Sequence, residues 1–115
     1  MNIDTAGIEQ LRDELARLMG YTRHEPPGGG DPYWTHESSR DAIYVHPIDL
    51  TLDFIAGAMK ETGWVWWRKP RGDGQLLWFA RCGTPGYGQV ELTVPDTGDE
   101  IADRLRLVVK VRSRA

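Results

Sequence analysis

Cysteine is nearly absent: Cys82 is the only one in 115 residues. One thiol closes no internal disulfide, which excludes a disulfide-stapled scaffold and fits a reducing compartment such as the cytoplasm. Long apolar runs are missing as well. None approaches the ~18 residues that would cross a bilayer, so no membrane contact is expected. Met1–Gly20 lacks the basic region followed by an apolar block that marks a secretory leader, and none is expected. Neither sign of charge dominates, since 14 Lys and Arg face 17 Asp and Glu for a net −3. That balance argues against a general polyanion binder. What the chain does have is 40% apolar residues, 27% charged residues and five tryptophans. A folded chain of this length buries about 65% of the surface its unfolded form exposes. One domain over 1–115 is expected.

Ile8, Leu11, Leu15, Leu18 and Met19 recur at helical spacing opposite Arg12, Asp13, Glu14 and Arg17, which predicts an amphipathic helix over 4–19. Asp4 or Thr5 is its expected cap and Gly20 its stop. Periodicity then vanishes, and the run Pro26, Pro27, Gly28, Gly29, Gly30, Asp31, Pro32 continues neither helix nor central strand. Residues 22–46 are therefore read as a long loop, with a short strand near Ala42–Val45 tying it down. A second helix is expected from Asp49, as N-cap, to Thr62, stopped by Gly63. Its wide apolar face implies deep burial.

Aromatic runs separated by turn residues follow, predicting three antiparallel strands at 64–69, 75–82 and 89–94. Leu76, Leu77, Trp78, Phe79 and Ala80 are consecutively apolar, so both faces of the middle strand are expected to be covered. The third strand alternates, with Val90, Leu92 and Val94 on one side and Gln89, Glu91 and Thr93 on a wet side. A last helix is expected over 97–112, capped by Asp96 or Thr97, with Lys110, Arg112 and Arg114 at the negative end of its dipole. The expected fold is an α/β (α+β) layered α/β/α sandwich. It is a three-stranded antiparallel meander covered by three helices, in the order α-loop-α-β-β-β-α.

Three blocks, Leu11–Tyr21 (LRDELARLMGY), Ile48–Trp66 (IDLTLDFIAGAMKETGWVW) and Pro95–Val108 (PDTGDEIADRLRLV), resemble in that order those of the phage ABA sandwich domain family. The resemblance implies a small phage or prophage protein. It transfers no catalytic residue, because the family offers no motif that defines one.

His24, His36 and His46 stand in the long segment beside Glu25, Asp31, Glu37 and Asp41, but their spacings match no compact metal-ligand motif. Cys82 as a nucleophile needs a base converging on it. The loop glycines lack the Gly-Lys-Ser or Gly-Lys-Thr ending of a phosphate cradle. Arg71, Gly72 and Asp73 spell a receptor-recognised tripeptide, but Asp73-Gly74 is a preferred turn pair and the hairpin accounts for it. Neither a catalytic set nor a metal or other cofactor is expected.

Tyr33 and Trp34 either pin the loop or present an aromatic anchor to a partner. The edge strand offers Gln89, Glu91 and Thr93 for contact with an unknown protein partner or, through strand pairing, with a second copy. The absence of a catalytic set, together with what the resemblance implies, favours a non-enzymatic phage or prophage accessory protein acting through protein contacts. The alternative is a nucleic-acid-binding accessory protein using Trp66, Arg68, Lys69 and Arg71, where rings interleave with cations. Charge distribution bears on it. Residues 1–63 hold 5 basic and 11 acidic side chains, while residues 64–115 hold 9 and 6, so any basic surface belongs to the strands and the last helix.

Overall fold

A computed structural model of the chain describes residues 1–84 and 87–114. It mixes three helices with two three-stranded antiparallel sheets: α1 Ile8–Leu18, β1 Tyr21–His24, β2 Tyr33–His36, β3 Ser39–Ile43, α2 Leu52–Lys60, β4 Val65–Pro70, β5 Leu76–Thr84, β6 Tyr87–Pro95 and α3 Glu100–Arg112. No helix among the described residues is long and apolar enough to cross a membrane. The turn expected over Gly83–Gly88 includes Pro85 and Gly86, which lie outside the described residues.

The 22–46 loop is the first correction, because it carries β1–β3 rather than irregular chain. α1 ends where Gly20 takes φ 90°, a left-handed value that a Cβ disfavours, and a Cβ there would also meet Glu37 Cδ at 2.8 Å. The chain therefore turns directly into β1. Pairing with β2 sets Tyr21 opposite His36 and His24 opposite Tyr33. Both pairs join rings, edge-on at 4.7 Å and stacked at 4.8 Å between centroids. The Pro-Gly run is the connection between these two strands.

Three helix caps also differ from expectation. α1 begins at Gly7, with no side-chain bond; Asp4 is instead drawn to Lys110 Nζ at 3.1 Å. At α2 the Thr51 hydroxyl accepts from Phe54 N at 3.1 Å, displacing Asp49 from that role, and Leu52 is 39% exposed, so the buried face narrows to Ile55, Ala58 and Met59. At α3 the Asp99 carboxylate accepts from Ala102 N, where Asp96 or Thr97 was expected.

The layering is the main correction. α3 lies against β5 and β6, and α1 and α2 pack on α3 rather than on the sheet's far side. Sandwiched in this way, α3 buries Ala102, Asp103, Leu105, Leu107, Val108, Val109 and Val111, which explains why its sequence carries a β-branched run. The core gathers Leu11, Leu15, Ile48, Ile55, Met59, Trp78, Ala80, Val94 and the α3 residues. The helices thus stand on one side of the meander instead of two. The chain is elongated, with extents of 54 × 30 × 24 Å and a radius of gyration of 16.0 Å. A compact chain of this length has about 13 Å.

Candidate functional site

Strand alternation and register sort the β4–β6 side chains into two faces. Val94 opposes Trp78, and Leu92 opposes Ala80, which in turn opposes Trp66. All five belong to the core or pack against it, so this is the face that α3 covers. The opposite face presents Val65, Trp67 and Lys69 from β4, Leu77, Phe79 and Arg81 from β5, and Gln89, Glu91 and Thr93 from β6. Among the described residues no helix packs on it.

Leu77 and Phe79 are nonetheless 8% and 7% exposed while standing outside the core. Neighbouring side chains bury them in place of a helix. Trp67 stacks on Phe79 with rings 7° from parallel and centroids 5.6 Å apart. Lys69 Nζ lies 5.1 Å from the Phe79 ring centre, and the Arg81 guanidinium 5.2 Å from that of Trp67. The stems of these two cations cover apolar surface while their charged ends stay wet. Val65, 56% exposed, extends the apolar patch to the β4 edge. The result is a flat aromatic face capped by two cations.

Of the residues put forward from the sequence, Lys69, Gln89, Glu91 and Thr93 meet on this face. Trp66 and Arg68 do not. Trp66 sits against Trp78 with Arg104 over both rings at 4.8 Å, and Arg68 pairs with Asp96 at 3.2 Å on the covered side. Arg71 is at the hairpin tip, bonded to Asp73 and to Gln75 Oε1 at 3.0 Å. That hydrogen bond from Arg71, with a second from Gln75 N, holds the Asp73 carboxyl well below the usual range, at about 2. The two charged ends of the tripeptide thus engage each other. Trp34 is 7% exposed within the core and packs on His46 at 4.7 Å, so it is withdrawn from any partner. Tyr33 remains half-buried between His24 and Tyr44.

Trp67 and Phe79 are the site residues that sequence reasoning passed over, and a signal for them existed. The polar side of β6 marks, through strand register, the uncovered side of the whole sheet. The β6 edge is less open than its sequence suggests. Lys110 Nζ donates to the Thr93 carbonyl at 2.9 Å as well as to Asp4, closing that end and leaving the stretch around Gln89 and Glu91.

The histidines are held by local partners. His24 Nε2 bonds to the Thr35 hydroxyl at 2.8 Å. His36 donates from Nε2 to the Met19 carbonyl at 2.9 Å and accepts at Nδ1 from Ser38 N. His46 donates to Asp13 at 2.8 Å and accepts from Ile48 N. None of these bonds reaches Cys82, which is exposed. Among the described residues no three His, Cys, Asp or Glu side chains are grouped to hold a metal. The described surface also carries two open concavities. One of ≈ 510 Å³ lies between Leu18, Trp64 and Arg112, and one of ≈ 280 Å³ lies between Arg17, Tyr21 and Trp34.

No protein-family model matches the chain, and no curated protein or solved structure matches it at a significant level.

Proposed function

We propose that the chain is a non-enzymatic binding domain whose contact surface is the helix-free face of β4–β6. The observation that carries this reading is the Trp67–Phe79 stack, built on a sheet face against which no helix packs among the described residues. Large apolar rings beside arginine are the composition of binding hot spots, and Trp67 and Phe79 stand apart from the main hydrophobic core. A phage or prophage accessory role in a bacterial cytoplasm belongs to the same proposal and rests on the three sequence blocks alone.

The test places a photo-activated cross-linking residue at Val65, at Thr93 or at Lys60, which is exposed on α2, in the chain expressed in bacterial cells. Adducts at Val65 and Thr93, absent at Lys60 and lost on adding Trp67→Ala, are the expected result. Equal labelling at all three positions refutes the reading. So does turnover of a substrate by the purified chain that Cys82→Ser or His36→Ala abolishes.

A further inference from the structure

We infer that the ligand of this face is single-stranded nucleic acid, an assignment that rests on reading the face as the contact surface. Size is the first argument. Three strands at about 4.8 Å and five residues at about 3.3 Å span roughly 240 Å². A sheet face of this extent matches two or three unstacked bases, one of them laid on Trp67, the more open of the two rings.

Charge is the second argument. The chain carries −3, yet its β4–β5 hairpin carries Arg68, Lys69, Arg71 and Arg81 against Asp73 alone. Arg68 is committed to Asp96 and Arg71 to Asp73. Lys69 and Arg81 have no carboxylate within ion-pair distance among the described residues. What they touch is the two rings. A ligand alternating planar groups with negative charge satisfies both parts at once. A base takes the place of the guanidinium on Trp67, and the released cation meets the adjoining phosphate. Glu91, opposite Arg81 on the same face, repels phosphate and confines the strand to the β4–β5 side.

Fluorescence anisotropy of labelled oligothymidylate and oligouridylate, with a duplex as comparison, tests this on the whole chain. Both single strands are expected to bind more tightly than the duplex. Two phosphates met by Lys69 and Arg81 give a slope of log K against log salt near −1.4, or about sevenfold weakening between about 50 and 200 mM salt. Trp67→Ala weakens binding about tenfold or more by removing one stacking platform. Lys69→Gln with Arg81→Gln, a change confined to side chains above the sheet, flattens the salt dependence. Glu91→Gln tightens binding, and Lys60→Gln leaves it unchanged. An unaltered slope in the Lys69/Arg81 double variant overturns the assignment, and so does failure of both oligonucleotides to bind at about 50 mM salt. If Val65 still cross-links a protein in that case, only the nucleic-acid assignment falls; if it captures nothing, the contact face falls with it.

Discussion

Asp103 gives the sharpest test of how α3 is fixed against the sheet. It is 1% exposed, and its carboxylate accepts from Thr97 N at 2.9 Å, Thr97 Oγ1 at 2.6 Å and Arg106 at 3.2 Å. Arg106 donates onward to the Ala6 carbonyl at 3.2 Å. One carboxylate thus joins the turn after β6, the first turns of α3 and the N-terminal segment. Asp103→Ala leaves two Thr97 donors and a guanidinium only 13% exposed short of their acceptor. Breaking a buried pair by removing one partner costs about 3–5 kcal/mol, a large share of the roughly 5–15 kcal/mol that holds a domain together. In urea, with a slope near ~2 kcal/mol/M, the midpoint falls by about 2 M at unchanged slope. Asp103→Ala with Arg106→Ala costs less than the sum of the two single changes, because the second removes the group that the first leaves unpaired. A single-variant loss below about 1 kcal/mol, the size of an ordinary exposed contact, or strict additivity in the double variant, refutes the linkage.

Further outcomes follow from the same geometry. Trp78→Ala costs about 3–5 kcal/mol because the ring is core, whereas Trp67→Ala, on the uncovered face, costs about 1 kcal/mol; equal losses in chemical denaturation would mean that something covers both faces. Thr51→Ala lowers stability by about 1 kcal/mol through the lost cap, while Asp49→Ala leaves the thermal midpoint unmoved, and the reverse order would restore Asp49 as the cap. Carboxyl NMR should show Asp73 titrating at about 2. With its folded value depressed, its contribution is present above the ordinary carboxylate range and is lost as pH falls toward 2, and Arg71→Gln moves the titration up toward that range, the Gln75 N bond still holding it lower. Lys110→Met, which frees both Asp4 and the Thr93 carbonyl, speeds amide exchange across residues 2–6 without speeding it in β5.

The helices and the meander were legible because their signals are long: apolar recurrence in α1, α2 and α3, and aromatic runs set between turn residues in β4–β6. The first sheet was not. Its strands, YTRH, YWTH and SRDAI, have four or five residues each and no clean apolar alternation. What joins the first two is ring-on-ring pairing across the register, which becomes visible only when two distant tetrapeptides are set side by side. The Pro-Gly run that argued for a loop is indeed irregular chain, but it connects paired strands.

The missing second helical layer has a different cause. Five apolar residues in a row imply that both sides of a strand are shielded, and Leu77 and Phe79 are shielded, although Leu76 at the start of β5 is 43% exposed. The inference failed on what does the shielding, because Trp67, Lys69 and Arg81 reach across the sheet and do the work assigned to a helix. β6 held the deciding information. Its apolar side, Val90, Leu92 and Val94, carries over in register to Trp78, Ala80, Trp66 and Arg68, and only one such side is available to a core. Its polar side carries over to Phe79, Trp67 and Lys69, and that is the side left to solvent. In a three-stranded meander the edge strand with the cleanest alternation therefore assigns both faces. A tryptophan in register with that strand's polar residues belongs to the face the helices leave uncovered, whatever its own neighbours suggest.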